Sequence, residues 1–398
     1  MSAIEHWSAD LASTPLRVSM LGLRGFPNVQ GGVETHAQNL ALGLVDLGCE
    51  VEVIVRSGFV AANSSRSWHK IKFVRLWSPR VKGLEAFVHS FLGVLYAAWS
   101  RPDILHIHAI GPALFTPLAR ALGLRVVVTH HVLNYDNEKW GWPARAILRL
   151  GERAGMMFAN ARIAVSHGLA RRMEEAYGVP LKMIPNGIPR ARKVASTATL
   201  QAFGLQPKRY VLMVARIDEQ KRQLDLIDAF GRIDRGGWKL GIAGAADHSG
   251  AYARSVAEAA QKTPGVIMLG HQGGDALAEL YTHAGVFVLA SSHEGQPIAV
   301  LEAISYGCPL ILSDISAHRE ICSSGARFVA VGDIAALADG LAEILVSSPT
   351  PRLDVMQCER VVRVHDWRQI AQQTFEVYRA AARCKSNGTA RQSDLACD

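Results

Sequence analysis

The sequence predicts an α/β protein of two doubly wound parallel-sheet domains. Short apolar runs alternate with amphipathic segments along nearly the whole chain, the pattern of strands connected by crossover helices. The alternation comes in two sets, separated by a polar stretch through Ser196, Thr197 and Thr199 that follows Pro185-Asn186-Gly187-Ile188-Pro189. With 398 residues the chain is long enough for two separate cores.

Taken in order, residues 1–15 are polar and irregular and are expected to form a loose arm. The first domain is expected over 16–190. Its first strand is residues 17–23, and the loop through Gly25, Pro27, Gly31 and Gly32 leads into a helix with Val33, Ala37, Leu40, Ala41 and Leu44 on one face. A second strand at 50–55 completes a βαβ unit with a glycine-rich turn at the helix start. The Gly-Gly pair either permits close backbone approach or makes a tight turn, and it is not G-x-G-x-x-G. Further strands are expected at 71–76, 103–108, 125–129 and 161–165, with helices at 84–98 and 144–158. The second domain, 191–365, has strands at 210–215, 238–243, 266–269, 286–289 and 310–313, then helices after Asp333. A last amphipathic segment within 366–384 carries Ile370, Thr374, Val377 and Tyr378 at helical spacing. Residues 385–398, rich in Ser, Asn, Gly and Asp, are expected to be disordered.

Composition narrows the function. Hydrophobic residues make up 49% and charged residues 20%, as in ordinary globular proteins. No apolar run reaches the length of a membrane span, and the N-terminus lacks the basic start and apolar centre of a secretory signal, so a cytoplasmic location is expected. The six cysteines are scattered without a C-x-x-C pair, which signals neither a disulfide framework nor a zinc site. A formal charge of +8 implies attraction to diphosphates, nucleic acid or acidic lipid headgroups. Nucleic acid is set aside, because no nucleic-acid motif or basic patch with stacking aromatics accompanies the charge.

The chemistry is concentrated in His293-Glu294-Gly295-Gln296-Pro297-Ile298-Ala299-Val300-Leu301-Glu302, which sets two carboxylates eight positions apart around a helix start. Proline suits the first helical turn, where its missing N–H costs nothing. Glu294 then lies in the loop before the helix and Glu302 more than one turn inside it, with the free N–H groups of the helix N-terminus between them. That layout matches a nucleotide sugar, with hydroxyls on both sides of a diphosphate; a capped surface helix accounts for the spacing alone equally well. A second element, the apolar strand at 210–215, runs directly into Arg216-Ile217-Asp218-Glu219-Gln220-Lys221. Two cations on the loop leaving the carboxyl end of a parallel strand sit where open α/β sheets bind ligands. With the two glutamates they form a clamp for a diphosphate leaving group.

On these residues the chain resembles the retaining, nucleotide-sugar-dependent glycosyltransferases of family 4, of the bacterial polysaccharide type. Their architecture is GT-B, two Rossmann-like doubly wound domains facing a cleft. Arg216 and Lys221 match the family's diphosphate-binding pair, and Glu294 and Glu302 its spaced glutamates. Gly31-Gly32-Val33-Glu34 matches the N-terminal glycine loop, Pro185-Asn186-Gly187 the interdomain segment, and Gly307-Cys308-Pro309 the stretch after the second glutamate. Ala215 and Arg222 depart from the family, standing where a glycine often precedes the Arg and follows the Lys. The resemblance implies catalytic roles for His131, Arg216, Lys221 and Glu294, and donor binding by Gly31, Gly32, Arg216, Lys221, Glu294, Gly295, Gln296, Pro297, Ile298 and Glu302. Glu294 would hold the donor hexose and Glu302 the ribose, while His131, favoured over its neighbour His130 by its spacing to Lys139-Trp140-Gly141, would contact the donor sugar.

The implied reaction keeps the donor's anomeric configuration, with the leaving phosphate helping to remove the acceptor proton. Arg216, Lys221 and two helix N-termini would stabilise the charge growing on the leaving oxygen. No Asp-x-Asp occurs, so no metal is expected, and no cofactor, since the nucleotide sugar is itself a substrate. The acceptor is expected to be a saccharide, lipid-linked, in exopolysaccharide or lipopolysaccharide synthesis. Peripheral docking on the inner face of the cytoplasmic membrane is expected through 139–153, where two tryptophans precede Arg145, Arg149 and Arg153. The competing view of that segment is a helix whose Ile147, Leu148 and Leu150 face the domain core. Competing activities are a sugar-nucleotide epimerase of the same fold, a non-catalytic sugar-nucleotide-binding subunit, and a nicotinamide oxidoreductase, the last opposed by the missing G-x-G-x-x-G.

Overall fold

The structure, a computed structural model, describes residues 15–27, 29–59, 66–79, 81, 83–132, 141–188, 191–247, 250–322, 324–346 and 355–383. The expected arm (Pro15 aside) and tail, and Lys139 and Trp140, lie outside them.

The first sheet is built from β1 (Arg17–Leu21), α1 (Gly32–Asp46), β2 (Glu50–Arg56), β3 (Ser67–Trp68), β4 (Ile71–Leu76), α2 (Leu84–Ser100), β5 (Ile104–His108), α3 (Ile110–Ala113), α4 (Thr116–Ala121), β6 (Val126–His130), α5 (Trp142–Phe158), β7 (Ala161–Ala164), α6 (His167–Tyr177) and β8 (Lys182–Met183). Its strand order is β3-β4-β2-β1-β5-β6-β7-β8, parallel except for the β3–β4 pair. Every residue of β5 and β6 is buried, as expected for strands covered on both faces. One cover is α1, the other is the layer of α2, α4, α5 and α6. The first strand stops at Leu21, two residues early, because Gly22 turns the chain at φ +103°.

The second sheet follows with α7 (Ala198–Ala202), β9 (Tyr210–Val214), α8 (Gln223–Arg232), β10 (Lys239–Ala243), α9 (Ala251–Lys262), β11 (Val266–Gly270), α10 (Gly274–His283), β12 (Val286–Leu289), α11 (Ile298–Ser305), β13 (Leu310–Ser313), α12 (Ser316–Ile321), β14 (Arg327–Val329), α13 (Ile334–Val346), α14 (Val355–Val364) and α15 (Trp367–Arg383). Its order is β11-β10-β9-β12-β13-β14, all parallel. The chain is thus two parallel-sheet α/β domains. The final helix leaves the second domain and packs on the first: Ile370, Ala371 and Tyr378 of α15 join the core under α1.

This topology positions the site. In each sheet the strand order reverses at one strand, β1 in the first and β9 in the second, and ligands bind outside the carboxyl ends at such switch points. The glycine loop leaves β1 there, and the Arg216–Lys221 loop leaves β9 there.

Candidate active site

The second domain supplies one wall. Beyond β9, Arg216 is held by its carbonyl oxygen, which accepts from the buried Gln223 side chain at 2.7 Å. Lys221 closes a 3-10 turn over Glu219–Lys221, capped by the Asp218 carboxylate on the Gln220 N–H. The turn docks on the donor loop through Ser292 N to Gln220 O at 2.8 Å, and the Lys221 ammonium pairs with the Glu294 carboxylate. Burial alone would raise the Glu294 pKa, but Lys221, with help from His318, holds it below the ordinary value. Arg222 takes φ +54°, the left-handed conformation that glycine adopts without strain, and pairs with Asp225 at 2.5 Å. Arg222 thus keeps the left-handed backbone at a position where the family often has glycine.

Pro297 is the N-cap of α11, not part of its first turn: its φ is −74° and ψ 112°, and its carbonyl oxygen accepts from Val300 and Leu301. An extended ψ brings the chain in from the donor loop, and the helix starts one residue later. Glu302 is the fifth helical residue, and its carboxylate accepts from Tyr281 Oη at 2.9 Å. Burial pushes the Glu302 pKa up to about 7, against the smaller opposing effect of the Tyr281 hydroxyl.

The first domain supplies the other wall. Gly31 caps α1 at φ +152°, and a Cβ there would collide with the side chains of Glu34 and Arg24. His131 follows β6 at its carboxyl end, and a Cβ on Gly295 would collide with the His131 carbonyl oxygen, so only glycine allows the donor loop this close. Neighbouring His130 turns into the core and lies 2.9 Å from Glu152. His131 Nε2 lies 3.2 Å from His108 Nδ1, and His36 Nδ1 lies 2.9 Å from Asn186 Oδ1. Burial first, then the neighbouring rings, drives the pKa of His131 and His108 far below normal, so both are neutral at pH 7. His36, His108 and His131 bring ligand nitrogens within 4.8 Å of one another, a potential metal-ligating trio that sequence spacing did not reveal.

Several contacts join the domains, among them Gln30 with Ala245 and Glu320 with the start of α6, and two linkages lie beside the site. Asn186 donates from Nδ2 to Gln296 O at 2.8 Å, its own N–H meets Gln296 Oε1, and its carbonyl oxygen lies 2.6 Å from His365 Nδ1. Asp247 bridges Arg24 of the first domain, at 2.5 Å, and Arg216 of the second, at 2.6 Å. Burial opposes ionisation of Asp247, but Arg216 and Arg24 outweigh it and lower its pKa.

Gly31, Gly32, His131, Arg216, Lys221, Gln296, Pro297, Ile298, Glu302 and the intervening Glu294 and Gly295 all line one cavity of about 450 Å³ between the domains. Sequence reading missed Arg24, Asp247, His36 and His108. None carries a spacing signal, because the contacts that bring them to the cleft join distant parts of the chain, as with Arg24 and Asp247 across 223 positions and His36 and Asn186 across 150.

Comparison with known proteins gives the family and the fold. A family model described as "Glycosyltransferase Family 4" matches residues 30–192, and one described as "Glycosyl transferases group 1" matches 199–354. The chain belongs to glycosyltransferase family 4. Among relatives of this enzyme, alpha-maltose-1-phosphate synthase of Mycobacterium tuberculosis is 27% identical over 92% of the chain and 99% of its own length. Phosphatidyl-myo-inositol mannosyltransferase of Mycobacterium leprae is 30% identical over 56% of the chain and 59% of its own. Sucrose-phosphate synthase from Thermosynechococcus elongatus superposes with a TM-score of 0.78 at 19% identity, covering 92% of the glycosyltransferase and 98% of that chain. Anabaena HepE in complex with UDP-glucose does so with a TM-score of 0.76 at 17% identity, covering 92% and 100%. These likenesses identify the fold of the family 4 enzyme as GT-B.

Proposed function

We propose that this glycosyltransferase moves a hexose-type sugar from a nucleotide-diphosphate sugar to a lipid-linked saccharide, with retention of anomeric configuration, in bacterial exopolysaccharide or lipopolysaccharide synthesis. The observation that carries the reading is the convergence of Arg216, Lys221, Glu294 and Glu302 on one cavity with the N-termini of α1 and α11. The structural neighbour HepE, solved in complex with UDP-glucose, and the relative named phosphatidyl-myo-inositol mannosyltransferase support a nucleotide-sugar donor and a lipid acceptor.

Transfer requires negative charge on the leaving phosphate oxygen to be stabilised as the glycosidic bond breaks. Arg216, Lys221 and the α11 N-terminus would meet that charge, and losing one preorganised donor typically costs about 3 kcal/mol, roughly a hundredfold in rate. Glu294, kept ionised by Lys221, accepts from the hexose hydroxyls, and Glu302 from the ribose. These glutamates recognise hydroxyls; the paired-carboxylate chemistry of glycosidases is not invoked. His131, neutral, offers the sugar a hydrogen bond without adding charge. No metal or cofactor enters this scheme.

The test is turnover of Arg216→Ala and Lys221→Ala with a nucleotide sugar identified by thermal-shift screening, together with NMR of the product anomer in EDTA. Both variants should lose about a hundredfold in turnover, and the product should keep the donor configuration. Normal turnover in both, an inverted product, or activity lost to chelation removes the mechanism.

A further inference from the structure

The outer layer of the first domain carries an apolar surface that the cleft does not use. Leu84, Phe87, Phe91, Leu95 and Trp99 recur every three or four residues along α2, so they stack on one helical face, and all five are exposed, Trp99 by 79%. The opposite face of α2 already fills the core with Ser90, Gly93, Val94 and Ala97. The stripe runs nearly the whole helix, about 25 Å at 1.5 Å per residue. Monomeric soluble proteins rarely leave so continuous an apolar surface uncovered.

The stripe does not end at α2. Phe115, half-buried in front of α4, meets the rings of Phe87 at 5.0 Å and Phe91 at 5.8 Å. Beyond it lies α5, in the same layer over the sheet, whose outer face exposes Trp142 (82%), Ile147, Leu150 (56%) and Met157. Ile147 and Leu150 thus face outward, against the view that this helix buries them, while Leu148 is half-buried. Arg149 and Arg153 are exposed among them, but Arg145 is half-buried and lies off that face.

We propose that this α2–α5 layer docks the enzyme on an anionic lipid bilayer, with the α2 stripe in the headgroup–acyl boundary and the arginines on lipid phosphates. Charge supports lipid as the occupant. Arg101 lies two residues beyond Trp99, Arg149 and Arg153 sit on α5, and the acids of the two helices are withdrawn: Glu85 pairs with Arg56, and buried Glu152 with His130. A second copy meeting this face across a two-fold axis would gather the arginines of both copies in one interface, where the acids of these helices are already paired. Apolar burial supplies the attachment, and each cation adds about fivefold beside anionic lipid. The proposal takes its purpose from the lipid-linked acceptor read above, but the binding requires neither acceptor nor donor.

Co-sedimentation of the full chain tests it, with vesicles of equal parts phosphatidylglycerol and phosphatidylcholine and with phosphatidylcholine alone, at low and high salt. Wild type should pellet with the anionic vesicles and be released in part by salt. Arg149→Ser with Arg153→Ser should weaken that binding about thirtyfold and leave the neutral-vesicle binding unchanged. Trp99→Glu, and Leu95→Glu with Trp99→Glu, should weaken both; the 79% exposure of Trp99 keeps the single variant foldable, which its melting curve verifies. Wild type left in the supernatant at low salt overturns the proposal, as do apolar variants that pellet like wild type. A wild-type dimer that the glutamate variants dissociate without loss of vesicle binding also overturns it. Failure here leaves the transfer assay untouched, and vesicle binding without lipid-acceptor turnover would remove the acceptor reading alone.

Discussion

Glu294 and Glu302 look alike in sequence, yet the fold gives them opposite electrostatics. Lys221 keeps Glu294 ionised, whereas Glu302 accepts from the neutral Tyr281 hydroxyl and burial pushes it up to about 7. A carboxyl raised from 4.5 stabilises the fold below that value, and its contribution is lost as pH rises toward 7. Nucleotide binding runs the other way, since ribose hydroxyls donate to the carboxylate and favour its ionised form. The bare nucleotide should therefore bind about tenfold more weakly at pH 6 than at pH 8, and Glu302→Gln should flatten that dependence. Glu294→Ala should weaken the nucleotide sugar while sparing the bare nucleotide. Calorimetric titration of both ligands across pH decides the matter; equal losses in both variants would refute the division.

At the scale of elements, the join between domains rests on Pro185-Asn186-Gly187 and the α14–α15 junction. Asn186 is buried; its side chain holds His36 and Gln296 and its carbonyl oxygen meets His365, tying α1, the donor loop and the C-terminal helices to one residue. Asn186→Ala leaves His36 Nδ1 and Gln296 O without those partners, which should cost about 1–3 kcal/mol. Asn186→Asp keeps the acceptor for His36 and loses the donor to Gln296. Both should lower turnover through the donor loop, and Asp should recover stability in proportion to the His36 bond; melting curves beside turnover measure the two separately. If Ala melts and turns over as wild type does, the join lies elsewhere.

Across the whole molecule, Asp247 is the charged bridge between domains, with Arg24 on one side and Arg216 on the other. Its depressed pKa means that the bridge contributes above the ordinary value of 3.8 and is lost as pH falls below it. Asp247→Asn should cost about 1 kcal/mol at pH 7, since the three side chains are only partly shielded from solvent. The loss should shrink in high salt. Small-angle scattering should show a more open pair of domains for the variant. Matching scattering and melting at low salt would mean that the bridge holds nothing.

Periodicity and turn chemistry were enough to read most strands of the two sheets, because strands buried on both faces must be written as short apolar runs and their crossovers as amphipathic helices; β3, β8 and β14, two or three residues each, are too short to show a period and were missed. The β9 loop and the Glu294–Glu302 segment were also legible, since each pair of side chains lies within one loop or helix start and spacing fixes its geometry. Tertiary structure alone decided the rest. Asp247 meets Arg24 across 223 positions, His131 meets His108 because β5 and β6 are neighbours in the sheet, and Gly295 meets His131 because the domains face each other. The same holds for the α2 stripe: a helix apolar on nearly all sides reads as core, and only packing shows which face the sheet covers and which is left to the surroundings.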